Sequence, residues 1–589
     1  MQNPASFYKE NINKHNESLK QIKQRLFVSS MIRLILFLAA CAAVYFMWSN
    51  TQIVIAIIIV TIALFVFLVS KHSDLQYQRD YLQKLIGLNE TEIKVLNRDF
   101  YDLPSGEKFK NPLHFYSQDV DLFGRGSFFQ YLNRTSLESG AERLANQFTE
   151  NAIDNIPQKQ EAIQELAQKA SWRQQFSATA ALVKTKTTAA SIIDWLTNYK
   201  PFVSPVMRYL PVTFSAISIL IFVLAYLDLV PSFIVIIWFF LGLGIVGTQA
   251  KKVNKLSEEA GKTQSTFEQY YKLLILLENE PFKADLLVKN ADFIRSEKTK
   301  ASAVIKSFSR MLGALDQRTN MMVGAFINGF FLADLRNSFR IEKWIELNGN
   351  QVSKWFEVIA FFDAYNSLGN FAFNHQNYVF PEINHDKHVL EVSKASHPLL
   401  DPAKAVANDF TIDAHQFFII TGANMAGKST FLRTVSLQIV MANAGLPVCA
   451  ASAKYSPIKL ITSMRTTDSL TDDESYFFSE LKRLKYIVEA IKEDRYFIIL
   501  DEILKGTNST DKAIGSRKFI NKLVASHSTG IIATHDLSLC EAADELDEVK
   551  NYYFDAQIKD GELFFDYTFK KGICQNMNAS FLLQKMGIV

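Results

Sequence analysis

Cysteine, glycine and proline are scarce in this chain of 589 residues, and neither sign of charge dominates it. The four cysteines, Cys41, Cys449, Cys540 and Cys574, are spaced for neither a disulfide framework nor a zinc site, which points to a reducing compartment. With 23 Gly and 14 Pro there are few helix breakers, so long helices are favoured. Lys and Arg total 63 against 60 Asp and Glu, a formal charge of +3. That balance excludes a strongly basic nucleic-acid coat and an acidic disordered tail, though not a local basic groove. What is abundant is apolar: hydrophobic residues make up 48% of the chain, and there are 47 Phe. Such an excess should be concentrated in particular segments.

It is concentrated in two. Residues 34–70 contain no Asp, Glu, Lys or Arg, and residues 209–250 contain one, Asp228. A membrane helix needs about 20 apolar residues, so each run fits a hairpin of two. Ser49-Asn50-Thr51 marks the first turn and residues 227–231 the second. Lys20, Lys23, Arg25, Arg33 and Lys71 flank the first run, and Lys200, Arg208, Lys251, Lys252 and Lys255 the second. Neither turn carries a Lys or Arg, so the positive-inside rule gives both hairpins one orientation with the rest of the chain cytoplasmic. The expectation is a multi-pass protein of the cytoplasmic (inner) membrane. The Lys251–Lys255 cluster reads as a charge anchor at a helix end.

Between and after the hairpins the pattern is mostly helical, as over residues 158–170. After about residue 388 the character changes. Runs at 388–392, 417–420, 496–500 and 530–533 are β-rich, and the last three are continuously apolar, as buried parallel strands should be. Helical stretches separate them, which predicts an α/β unit with a parallel sheet covered on both faces. The chain therefore divides into a cytoplasmic N-terminal helix (1–30), hairpin one (31–70), a helical region (71–208), hairpin two (209–250), a helical core (251–385) and an α/β domain (386–589).

The chemistry sits in that last unit. TGANMAGKST, residues 421–430, follows a predicted strand and precedes a predicted helix, the context a phosphate loop requires. Gly422 and Gly427 let the backbone of Ala423, Asn424, Met425 and Ala426 turn its N–H groups inward, and the helix N-terminus adds partial positive charge. Lys428 can reach the β- and γ-phosphates of a nucleotide, and Ser429, followed by Thr430, can ligate Mg²⁺. A second strand, YFIILDE (496–502), ends in Asp501, suited to the Mg²⁺ shell, and Glu502, suited to polarising an attacking water. A third ends in ATHD, with His535 placed to sense the γ-phosphate. Lys482, Arg483 and Lys485 read as a solvated helix face.

At these residues the chain resembles the MutS family of ABC-type ATPases. TGANMAGKST is similar to that family's phosphate loop, SYFFSE (475–480) to its signature segment, DEILKGTNSTD (501–511) to its DEIGRGTST-x-D segment, and SHPLL (396–400) to the start of its ATPase domain. Residues 119–144, 157–166 and 358–373 resemble its lever and core helices more weakly, with Asn133, Arg134, Thr135 and Gly140 in place. The resemblance implies ATP and Mg²⁺ as ligands. It also implies a homodimer in which Ser475 caps the nucleotide of the opposite subunit, and DNA as a partner, in mismatch repair or on another DNA structure.

The sequence also departs from the family. It leaves no room for a mismatch-reading domain, and Phe148-Thr149-Glu150 falls within a lever-like helix. Hairpin two stands near where the DNA clamp is expected. Ala405 replaces an aromatic that stacks on adenine. The chain stops at LLQKMGIV, so the dimerising extension is expected to be short or absent, and no nuclease domain is expected. The expected function is a membrane-anchored ATPase of MutS type that binds DNA. Two alternatives are a membrane ATPase scaffold or signalling module without DNA, and an ABC-type transporter subunit. Four membrane helices without mid-membrane polar groups argue against the transporter.

Overall fold

The computed structural model describes residues 2–183, 187–295, 300–316, 321–384, 387–465, 476–505, 507–559 and 562–575. Helix α1 (Pro4–Phe46) starts where the Asn3 side chain accepts from the Ala5 and Ser6 amides and Pro4 takes the first turn. It meets no breaker for 43 residues. After a tight turn Asn50 caps α2 (Thr51–Leu96), which runs for 46. The expected separate N-terminal helix is thus continuous with hairpin one. At 1.5 Å per residue each helix is roughly 65–70 Å long, about twice a hydrocarbon core. Both contain stretches long and apolar enough to cross a membrane. Apolar side chains from Phe27 to Val69 are exposed there, while Tyr8, Leu19, Ile22, Leu85, Ile86 and Val95 at the other end are buried.

Residues 97–127, expected to be helical, are not. They form packed turns with one 3₁₀ turn at Glu107–Phe109, because Gly106, Gly124 and Gly126 adopt positive φ and prolines interrupt. Helices α3 (Phe128–Leu132), α4 (Glu138–Thr149), α5 (Ile156–Gln168), α6 (Ala170–Ala180) and α7 (Ala189–Thr197) follow. Hairpin two is α8 (Leu210–Tyr226) and α9 (Phe233–Gly247). The chain then bends by 70° into α10 (Ala250–Asn279). The helical core is completed by α11 (Asp285–Arg295), α12 (Ala301–Asp316), α13 (Met321–Phe331) and the 42-residue α14 (Ala333–Asn374). Around Val358–Phe373 α14 is buried on nearly every side, so it is the axis on which α4, α5 and α6 pack.

The C-terminal domain holds two sheets. Strands β1 (Glu382–Ile383), β2 (His388–Ala395), β3 (Asn408–Asp413) and β5 (Ser452–Tyr455) form the smaller, in the order β1-β5-β2-β3. The larger is β10-β9-β4-β8-β7-β6, from β4 (Phe417–Gly422), β6 (Lys459–Ser463), β7 (Tyr496–Asp501), β8 (Thr529–Ala533), β9 (Val549–Lys559) and β10 (Glu562–Lys571). It is parallel except for the β9–β10 hairpin. Alternation along β4 splits its core. Phe418 and Ile420 join the cluster containing α15 (Lys428–Asn443) and the helical core. Phe417 and Ile419 join the cluster containing α16 (Tyr476–Glu493) and α17 (Ser509–Ala525). A short α18 (Ala542–Glu545) leads into β9. The run at 388–392 belongs to the smaller sheet, and β3, β5, β6, β9 and β10 are strands that composition did not reveal.

Candidate functional site

The site lies at the C-terminal ends of β4, β7 and β8. β4 delivers the chain into the loop at Gly422, whose φ is 148° and where a Cβ would sit 2.5 Å from the Phe554 carbonyl oxygen. Gly427, at φ 107°, turns the chain into α15. Ala423, Asn424, Met425, Gly427, Lys428, Ser429 and Thr430 line a cavity of about 880 Å³. Ala426 is buried beneath it.

Lys428 is buried, and its Nζ donates to the carbonyls of Gly422 (2.7 Å) and Ala423 (3.1 Å). Burial lowers its pKa, with Asp501 and Glu502 opposing. Ser429 Oγ donates to Asp501 Oδ2 at 2.8 Å. Glu502 and Leu504 hold left-handed backbone (φ 53° and 59°), a strained exit from β7. His535 Nε2 lies 2.9 Å from Glu502 Oε1 and 3.2 Å from Lys428 Nζ. One ring nitrogen cannot donate to the carboxylate and accept from the ammonium at once, so the His535 tautomer chooses between the two. The hydrogen bond from His535, reinforced by its charge and those of Lys505 and Lys512, holds Glu502 down to about 2. The structure thus brings Lys428, Ser429, Asp501, Glu502 and His535 together. Ser475 lies outside the described residues.

Part of the cavity lining was not legible in the sequence. Ala405 does line the cavity, and so does Tyr567 of β10, whose ring lies 3.1 Å from where a Cβ on Gly427 would be. Asn408 holds it there. Its amide donates to the Tyr567 carbonyl (3.1 Å) and accepts from the Phe569 amide (2.7 Å), bracing an irregularity of register in which Tyr567 has φ 51°. The alternating aromatics of 564–569 were the available signal. His397 belongs to this lining too, and burial beside Arg433 holds its imidazole down to about 4.

The reading of Lys482, Arg483 and Lys485 as a solvated face fails at Arg483. Its guanidinium is turned inward and donates to the carbonyls of His114, Phe115 and Thr462. It belongs to a seam joining the α/β domain to residues 114–121. Asp119 accepts from Thr462 Oγ1 (2.5 Å), Met464 N (3.1 Å) and Arg465 N (2.9 Å). Asp121 takes Arg465 bidentately (2.7 and 2.8 Å) and Arg433 of α15 at 3.1 Å. Asn151 pairs with both backbone groups of Leu460 (2.9 Å each).

A parallel sheet with a phosphate-loop turn and a strand ending in Asp-Glu defines the C-terminal domain as a P-loop nucleotide-binding domain. Residues 418–584 match the family model for MutS domain V, and in this part the chain is similar to proteins of the MutS family. It is 29% identical over 270 residues to the DNA mismatch repair protein MutS of Staphylococcus haemolyticus, covering 44% of this chain and 29% of that protein. The figures for the protein of that name from Macrococcus caseolyticus are 32% over 268 residues, 44% and 29%. Human MutS protein homolog 4 is 31% identical over 214 residues, covering 34% and 22%. The match therefore spans under a third of the length of these relatives.

Proposed function

We propose that this chain is a membrane-anchored ATPase of MutS type, which binds and hydrolyses ATP with Mg²⁺, closes as a homodimer around two composite sites, and binds DNA. The observation that carries the ATPase reading is the convergence of Lys428, Ser429, Asp501, Glu502 and His535 on one cavity. Ser429 Oγ and Asp501 Oδ2 are two hard oxygen donors side by side. Among the described residues there is no group of three His, Cys, Asp or Glu that could cage a metal. That set suits Mg²⁺, which takes one or two protein oxygens beside phosphate and water. When bound, the ion neutralises charge on the phosphate oxygens.

The protein groups supply the rest. Lys428 exchanges its two carbonyl acceptors for phosphate oxygens. Glu502, ionised across the cellular pH range, is a weak proton acceptor and acts chiefly by orienting the attacking water. His535 holds Glu502 in place through Nε2 and can turn that nitrogen toward the phosphate end. Tyr567 offers a ring face to the base where Ala405 offers none. Ser475 would cap the partner's nucleotide.

Membrane anchoring is supported by the apolar lengths of α1 and α2 and by the flanking Lys and Arg. DNA binding is supported by the named relatives, which are DNA mismatch repair proteins. The inward-turned Arg483 favours a second reading, a membrane ATPase scaffold without DNA, because it removes the centre of the one basic cluster on α16. The deciding experiment is DNA binding by the chain in nanodiscs, with matched, mismatched and branched duplexes, with and without ATP, across a salt series. Binding whose log K falls steeply with log salt supports phosphate contacts. Binding no greater than to empty nanodiscs removes DNA and leaves the scaffold.

A further inference from the structure

Residues 321–333, MMVGAFINGFFLA, carry no charge. They lie between α12 and α14, and their 11-residue helix α13 is too short to span a bilayer. α12 and α14 are antiparallel neighbours: Phe308 stacks on Trp344 at 3.8 Å, and Trp344 Nε1 donates to the Val304 carbonyl. α13 is therefore the connection at one end of that pair. The end is the hairpin end, since Glu342 of α14 accepts from Tyr199 Oη and the amides of Phe202 and Val203, a few residues before α8.

α13 packs on hairpin two at backbone contact. A Cβ on Gly242 of α9 would lie 2.1 Å from the Gly329 carbonyl oxygen, and one on Gly329 would lie 2.2 Å from the Phe239 ring. Phe330 meets Phe222 at 4.7 Å and Phe239 at 5.3 Å, and its carbonyl accepts from Ser218 Oγ at 2.6 Å. At 1.5 Å per residue, Ser218 and Phe222 lie roughly 12 and 18 Å along α8 from its basic-flanked end. The contact is thus well inside the apolar length of the hairpin. The opposite face of α13 is exposed, with Met322 at 84%, Phe326 at 53% and Ile327 at 38%. Its one amide side chain, Asn328, is buried and accepts from the Asp334 amide. In addition α8 and α9 have only 17 and 15 residues. At 1.5 Å per residue they are roughly 5 and 8 Å short of the hydrocarbon core, so lipid around them must thin.

We infer that α13 is embedded among the acyl chains near the middle of the bilayer, making hairpin two a three-helix membrane element. This rests on the membrane reading of the hairpins. Its exposed apolar face continues the lipid-facing surface of α8 and α9, where Ile219, Ile236 and Phe240 are exposed. α14 begins two residues after α13 and ends at Asn374, which accepts from Tyr8 of α1 at 2.6 Å. The embedded helix is therefore fixed to the rod on which the helical core is built.

The test places an environment-sensitive fluorophore on single cysteines in a background with the four native cysteines changed to alanine. The protein is reconstituted in phosphatidylcholine with or without brominated acyl chains. Met322→Cys and Phe326→Cys report α13, Ile237→Cys reports hairpin two, and Leu347→Cys reports water. Brominated lipid should quench the α13 probes as strongly as Ile237→Cys and leave Leu347→Cys bright. If Ile237→Cys is quenched while the α13 probes stay bright, α13 is not in lipid and this inference fails alone. It fails equally whether the bright probes react with a membrane-impermeant thiol reagent or are shielded by a second copy of the chain. If Ile237→Cys stays bright, the membrane reading itself fails. Should the cysteine-free chain not fold, photo-crosslinking of the unaltered protein with a diazirine-labelled phospholipid decides: lipid adducts within 321–333 support embedding, and adducts confined to the hairpins overturn it.

Discussion

At the scale of single residues, the nucleotide site divides into groups that sequence spacing could find and groups that it could not. Lys428, Ser429, Asp501, Glu502 and His535 sit at the ends of apolar strands, and each strand end is legible because its chemistry is adjacent in the chain. Tyr567, Asn408 and Arg483 act across long sequence separations and through a register irregularity, so no local pattern announces them. The assignments lead to a contrast between two variants. Lys428→Ala removes the ammonium and should abolish nucleotide binding in a fluorescent-nucleotide titration. Glu502→Gln keeps the shape and should retain binding while turnover falls by roughly 10²-fold, the low end for a positioned polar group, since one of the two oxygens that orient the water is lost. Normal turnover by Glu502→Gln would show that another group orients the water. The pH dependence follows from the depressed carboxyl. Its folded pKa, about 2 against an ordinary 4.5, means that its contribution to stability is present above about 4.5 and is lost as pH falls through 2. A loss of ATPase rate between pH 5 and 7 should therefore persist unchanged in position when Lys505 and Lys512 are both changed to Gln, because Glu502 is not the group titrating there.

At the scale of elements, periodicity located helices and apolar runs located parallel strands, but neither fixed where elements end. The polar face of residues 1–30 looked like a separate helix, yet nothing between Asn3 and Met47 breaks the hydrogen-bond ladder. Residues 97–127 failed as helix because glycines at positive φ and prolines outweigh the surrounding propensity. Helix α4 shows how one element is started by another. Asp363, fully buried on α14, accepts from the amides of Ser136 (3.0 Å) and Leu137 (2.9 Å), a helix start whose own sequence position, Leu137, cannot cap. The approach is so close that a Cβ on Gly140 would lie 2.1 Å from Asp363 Oδ2. Gly140→Ala should lower stability by about 1–3 kcal/mol, the usual range for overpacking, measured by denaturant melts of the solubilised chain. Burial raises the Asp363 carboxyl from 3.8 to about 7 against the pull of those two amides. The folded state then binds its proton more tightly than the unfolded chain, so this group makes stability fall as pH rises from about 4 to 7 and level off above. Asp363→Asn should flatten that part of the stability curve, and an unchanged slope would assign it to another group.

At the scale of the whole molecule, two of the attachments between the α/β domain and the helical core stand out among several, which include Lys159 on the Asn443 carbonyl and Arg98 on the Pro398 carbonyl. One is the seam at 114–121, held by Asp119, Asp121, Asn151 and Arg483, and the other is α14, which spans from the hairpin end to Tyr8. No local pattern announced the seam, since Arg465 and Asp121 are far apart in sequence and meet only when the α/β domain docks. If two copies close around ATP, Glu502→Gln with ATP should shift the chain toward dimer mass in light scattering, while Lys428→Ala stays at the mass of the nucleotide-free protein. The seam is one route by which closure would reach the helical core. Asp121 is the place to test this, because it grips the phosphate-loop helix through Arg433 and the residues just after β6 through Arg465. Its ion pairs are partly exposed, so losing them should lower stability by less than about 1 kcal/mol, and the variant should remain folded. Asp121→Ala should therefore still bind and hydrolyse ATP. What it should lose is the ATP-dependent change in hydrogen exchange along α14, which the unaltered chain shows if the seam transmits closure. Retention of that change in Asp121→Ala would shift the coupling to the buried Asp119 contacts, and its absence in the unaltered chain would mean that the nucleotide does not drive the core.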